Sequence, residues 1–156
     1  MELTLFTAME TSMSGLRAQR YRMNTIAENL ANVHTTHTDA GGPYRRKEVL
    51  FATKDPIPIF AEIPNKAFEK YLRLTNASSY SRGVHITGVI EDETPFREVY
   101  DPGHPDANEK GIVRLPNVNP LIEMVNMMSA ARSYESNITA ISSAKKMAQK
   151  ALEIGK

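Results

Sequence analysis

The 156-residue chain contains no cysteine. Disulfides, thiolate metal centres and cysteine nucleophiles are therefore excluded, and work outside the cytoplasm would have to proceed without covalent staples. Long apolar runs are missing as well. No stretch approaches the roughly 18 apolar residues that span a bilayer, so no transmembrane segment is expected. The opening MELTLFTAM has no basic region, apolar core or small-residue cleavage site. A cleaved secretory signal is not expected, and export would use a route that leaves the N-terminus intact. Neither sign of charge is in excess: a net charge of +1 gives no global reason to expect nucleic acid or an anionic membrane as partner. Glycine-rich phosphate loops and a serine in a nucleophile-elbow context are also absent.

Proline is missing from both ends. All nine prolines lie between Pro43 and Pro120, and all eight methionines lie within positions 1–23 and 124–147. Proline breaks helices and methionine propagates them, so the chain divides into helix, non-helical middle, helix. The expected fold is α+β: long terminal helices paired as a coiled coil, with a small β-rich middle inserted between them. The expected bounds are 1–33 for the first helix, 34–118 for the middle with an irregular insert at 53–82, and 119–156 for the second helix.

In the first helix, apolar residues alternate in steps of three and four through Phe6, Met9, Met13, Leu16, Met23, Ala27 and Leu30, with Ile26 beside them and Arg20 interrupting. That is the spacing of a coiled-coil seam. Asn32 and the threonines Thr35, Thr36 and Thr38 end it, followed by Gly41-Gly42-Pro43. Asn119 opens the second helix as N-cap, Pro120 suits its first position and Glu123 favours the positive end of its dipole. The same rhythm then runs through Met124, Met127, Ala131, Tyr134, Ile138, Ile141, Lys145, Ala148 and Leu152. The remaining positions are mostly small and neutral, including Ser129, Ala130, Ser133, Ser136, Asn137, Thr139, Ser142 and Ser143. A helix with one wet side usually carries charge there; this composition points to contact on several sides within a multi-chain assembly.

The middle reads as short strands at Tyr44–Phe51, Val84–Ile90, Phe96–Tyr100 and Ile112–Leu115. Prolines 56, 58 and 64 forbid a central strand in the insert, where residues 67–74 suit a short helix. Metal and catalytic readings fail on chemistry. His34 and His37 have ligand spacing but sit in the threonine-rich stop. Residues 106–111 imitate the start of a calcium loop, yet Lys110 occupies a ligand position and Asn117 replaces the closing glutamate. Asp101, His104 and Asp106 sit among turn residues. Arg45-Arg46-Lys47, the one basic cluster, reads as a solvated edge or protein contact rather than a nucleic-acid patch. No catalytic residue, metal site or cofactor is expected.

Several stretches carry a resemblance. Ser14-Gly15-Leu16, Ala18-Gln19-x-x-Arg22-Met23 and Asn29-Leu30-Ala31-Asn32-Val33-x-Thr35-Thr36 resemble the N-terminal signature of the flagellar rod, hook and filament-type axial proteins. Gly41 to Lys47, Tyr100 to Ala107, Leu115 to Asn119, Glu123 to Glu135 and the ending Ala148 to Gly155 are similar to the proximal-rod members of that family. The resemblance implies a structural, non-enzymatic subunit that polymerises helically into the drive shaft between motor and hook. Its terminal helices would line a central export channel, and it would leave the cell's interior unfolded and uncleaved through the type III export apparatus. Implied partners are copies of itself, other rod proteins of the family and the ring and rod-base proteins, in the periplasmic part of the basal body.

The residues expected at the intrachain and interchain seam are Leu16, Met23, Ile26 and Leu30 in the first helix. In the second they are Met124, Met127, Met128, Tyr134, Ile138, Ile141 and Leu152. Asn29, Asn32, Asn126 and Arg132 are expected as polar contacts that fix register. A soluble helical adaptor or export chaperone competes with this reading and predicts a discrete oligomer. A metal-dependent hydrolase using His34, His37 and His104 predicts stoichiometric zinc.

Overall fold

Residues 2–39, 41–54 and 83–154 are described in a computed structural model of the chain. Two long helices bracket four short strands: α1 spans Glu2–Ala31 and α2 spans Pro120–Ile154. Between them lie β1 (Lys47–Thr53), β2 (Val84–Glu91), β3 (Arg97–Tyr100) and β4 (Ile112–Leu115). The architecture is α+β, as the sequence implies. Most of the 53–82 insert, including the helix read at 67–74, lies outside the described residues.

Helix ends fall where side chains compete for backbone groups. Asn32 stops α1: its amide donates to the Glu28 carbonyl at 2.9 Å, while its own carbonyl and side-chain oxygens accept from the Thr35 amide and hydroxyl. At the start of α2, Asn119 Oδ1 accepts from the amides of Leu121 (3.0 Å) and Ile122 (3.4 Å), two of the donors a helix start leaves free. With 35 residues and no break, α2 is about 52 Å long.

The helices run antiparallel. Asn29 of α1 meets Glu123 of α2 near the closed end, and Gly15 lies against Asn137 further along. A Cβ on Gly15 would sit 2.9 Å from Asn137 Nδ2, so its missing side chain sets how closely the axes approach. α1 also packs on an antiparallel pair of β1 and β2, registered from Lys47↔Glu91 to Thr53↔Val84 with a shift between Leu50 and Phe51. β3 and β4 form a separate antiparallel pair, registered from Arg97↔Leu115 to Tyr100↔Ile112.

The first strand starts later than its β-type residues suggest, because the preceding backbone is committed elsewhere. The Tyr44 amide donates to the Thr35 carbonyl at 3.0 Å and the Arg46 amide to Asn117 Oδ1 at 2.8 Å. The core is small and layered: Ala18, Thr25 and Ile26 of α1, Val49 of β1, Val113 and Val118 around β4, and Ala130 and Ala144 of α2 are buried. Glycine matters most at the return into β2. Gly83 has φ of +97°, and a Cβ there would lie 2.0 Å from Ser14 Oγ, the atom that accepts from the Val84 amide at 3.0 Å. The Gly83 carbonyl also accepts from the Lys54 amide at 2.9 Å, closing the base of the insert.

Gly83→Ala should therefore lower the unfolding free energy by at least about 1–3 kcal/mol from backbone strain alone. Gly88→Ala, whose added Cβ meets nothing within 4 Å, serves as the control. Paired denaturant titrations check the difference, and equal midpoints for the two variants would contradict the packing at Ser14.

Candidate functional site

Two features stand out: a buried polar knot at the closed end of the helical pair, and an outward α2 surface of large apolar side chains. The knot is centred on Asn29, fully buried in α1. Its Oδ1 accepts from the Tyr44 hydroxyl and the Lys47 amide, both at 2.9 Å. Its Nδ2 donates to the Lys47 carbonyl at 2.9 Å and to Glu123 Oε2 at 3.1 Å. The carboxamide thus uses both donors and both lone pairs, and it holds Lys47 as a neighbouring strand would.

Glu123 is 1% exposed. The positive end of the α2 dipole favours its charge, and Arg46 Nε donates to its Oε1 at 2.9 Å. The same guanidinium reaches Glu48 at 3.3 Å and Asp92 at 3.5 Å. Burial works against the charge on Arg46, but its hydrogen bond and attraction to Glu123 outweigh that and raise its pKa. Asp92 is held below the usual carboxylate range, first by the Thr94 amide, which donates to its Oδ1 at 2.9 Å. Asn117 ties the strand pairs together: its Oδ1 accepts from the Arg46 amide, and its Nδ2 donates to the Asp92 carbonyl at 3.0 Å and Thr94 Oγ1 at 2.9 Å. Tyr44 is buried beside the carboxylates of Glu28, Glu91 and Glu123. Burial first, then those charges, push its phenol up to about 12.

Sequence reasoning did not find this knot. Glu123 reads from sequence as a dipole partner, and Arg46 as part of a solvated edge or protein contact; Glu123 is buried, and Arg46, half-buried, is paired with it. No local signal joins the α2 first-turn acid to Arg46 of the basic cluster, 77 positions away. Asn29, expected to fix register, is buried and bonded to three elements' worth of backbone and side chain. Asn126 lies beside the knot, 3.5 Å from Glu123 Oε1. Asn32 spends its side chain on the α1 stop. Arg132 is exposed on α2.

The α2 stripe read from sequence is offset by one residue from the line that faces α1. Met127, Tyr134, Ile141 and Ala148 are half-buried. The alternating partners inside are Glu123, Ala130, Asn137 and Ala144 rather than Met124, Ala131, Ile138 and Lys145. Ala130, fully buried, and Asn137 therefore leave the set of outward neutral residues, while Ser129, Ser136, Thr139, Ser142 and Ser143 remain exposed. On α1, Ile26 is buried and Leu16, Met23 and Leu30 are half-buried. Met124, Met128, Ile138 and Leu152 are exposed, together with Leu121, Ile122 and Val125. The most buried α2 positions in the seam are small or polar, half-buried Met127, Tyr134 and Ile141 alternate with them, and Leu121, Met124, Met128 and Ile138 lie outside it. Among the described residues, no helix is long and apolar enough to cross a membrane and no acid–histidine cluster could hold a metal.

Glu123→Ala should destabilise the chain by about 3 kcal/mol, because it leaves Arg46 and Asn29 without their buried partner; chemical unfolding measures it. Tyr44 supplies a pH test. The folded state raises this phenol from 10.0 to about 12, so its contribution is complete below pH 10 and is lost as pH rises through 12. Absorbance at 295 nm should show one tyrosine titrating near pH 12 that is missing in Tyr44→Phe.

Comparison with known proteins agrees with this layout. A family model described as "Flagella basal body rod protein" matches residues 9–36, within α1 and its stop. Another, "Flagellar basal body rod FlgEFG protein C-terminal", matches residues 109–154, from β4 through α2. The flagellar basal-body rod protein FlgC of Bacillus subtilis is 42% identical over 158 residues, covering 99% of this chain and all of the relative. That of Borreliella burgdorferi is 41% identical, covering 96% of this chain and 97% of the relative. The protein of the same name from Escherichia coli O157:H7 is 36% identical, covering 98% and 99%. Identity at this level along nearly the whole length shows that the chain belongs to the FlgC family, structural rod subunits of the flagellar basal body.

Proposed function

We propose that the chain polymerises helically, through its terminal helices, into the proximal rod, a non-enzymatic drive shaft that transmits torque and encloses an export channel. It packs against copies of itself and against other rod proteins of the family, and meets the ring and rod-base proteins in the periplasmic space. It reaches that place through the flagellar type III export apparatus.

One observation carries this reading: α2 leaves a row of large apolar side chains outside its seam with α1, while its most buried seam positions are small or polar. Ala130 and Ala144 fill the inner seam while Leu121, Met124, Met128 and Ile138 lie outside it. Burying one large apolar side chain contributes roughly 1.5–3 kcal/mol, so neighbours that cover this surface stabilise both themselves and the helix beneath. Contacts of this kind that repeat without closing generate a helical polymer, and many in parallel resist twisting without covalent links.

Ile138 is 46% exposed in the single chain. Ile138→Asp should therefore change subunit stability by less than about 0.5 kcal/mol while abolishing rod incorporation and motility. Ala130→Asp should instead unfold the helical pair. Normal rods from the Ile138 variant would remove the assembly face from α2.

A further inference from the structure

With no cysteine present, methionine carries all the sulfur of the chain. Its eight residues are not equivalent. Met124 and Met128 stand one helical turn apart on α2, 52% and 53% exposed, and at that spacing they share a face. Leu121 and Val125, also exposed, lie on the same side of the helix. Met127, between them in sequence, turns toward α1 and is half-buried. Met13 and Met147 are exposed too, but Met9, one turn before Met13, is half-buried, and Met147 has no second methionine one turn away.

A thioether is oxidised by peroxides without a catalyst. The sulfur lone pair attacks the outer peroxide oxygen, an S–O bond forms as the O–O bond breaks, and the departing oxygen leaves protonated, as water from hydrogen peroxide. Sulfur loses two electrons and the peroxide gains them. The product is a polar sulfoxide where an adaptable apolar group had been, and such a change disrupts methionine-rich contacts.

We propose that Met124 and Met128 form a peroxide-sensitive modification site: oxidation of the free subunit disables the α2 face for assembly, and assembly in turn shields both sulfurs. The inference rests on the assembly reading above and adds to it a chemical condition. A subunit oxidised before incorporation is excluded, while one already in the rod is protected.

Peptide mass mapping of the purified full-length chain exposed to hydrogen peroxide should show Met124 and Met128 converting about fivefold faster than Met127. In purified basal bodies the conversion of the pair should slow about tenfold, because exposure governs access. In cells, Met124→Gln/Met128→Gln, which mimics sulfoxide polarity, should lose incorporation, and Met124→Leu/Met128→Leu should retain it, with equal helical circular dichroism for the two purified variants. Equal rates at Met127 and Met128, or undiminished oxidation in basal bodies, would overturn the proposal. So would normal incorporation of the glutamine variant while Ile138→Asp is excluded, a result that leaves the assembly reading standing. Normal incorporation of Ile138→Asp as well would take both down.

Discussion

The carboxamide of Asn29 has four hydrogen bonds to make in a place without water, and the arrangement of the rest follows from where they go. Two go to the backbone of Lys47, one to the Tyr44 hydroxyl and one to Glu123. These fix the entry of β1, the loop before it and the first turn of α2 against a single point on α1. Glu123 could not be buried as a charge without Asn29 and Arg46, since an isolated ion in that position costs several kcal/mol. Slide α2 by one turn and the carboxylate leaves both partners, with nothing of its kind to replace it. Register, on the reading proposed here, rests on satisfaction of these polar groups more than on the depth of an apolar seam.

That division of labour explains the thin interior. Gly15 lets α1 come close to Asn137, and the buried α2 positions Ala130 and Ala144 are small. Small side chains permit close approach but bury little area each. A helix of this length depends on packing for most of its stability, and here Leu121, Met124, Met128 and Ile138 face the other way. The single chain is well specified in register and weakly provisioned in apolar burial. Coverage of the outer faces by neighbours, as proposed, supplies what the inner seam omits.

Much of the frame was legible in the sequence, because helix stops, caps and strand bounds are written in local chemistry. Asn119-Pro120 marks the start of α2 to the residue, and Ile112–Leu115 is β4 as read. The one-residue offset of the α2 seam was not legible. A three-four pattern of large apolar groups marks a face, but it does not say whether the face meets this chain or another. Alanine at 130 and 144 and glutamate at 123 are weak or contrary hydrophobic signals, yet they are the residues inside. Arg46 and Glu123 are 77 positions apart, so no local pattern joins them; only the completed fold does.

The placement of polar and apolar groups also bears on order of events. A helical pair with a deep apolar seam could fold alone in several registers and then associate through any of them, which is poor material for a shaft with fixed geometry. A pair locked first by Asn29, Glu123 and Arg46 offers neighbours one shape. In the proposed assembly the apolar outer faces would add stability to a register already chosen, and a wrongly aligned pair would bury a carboxylate without its partners. On the proposed assembly, strength and specificity fall to different chemistry: hydrogen bonds inside the subunit would select the geometry, and apolar contacts between subunits would hold it under load.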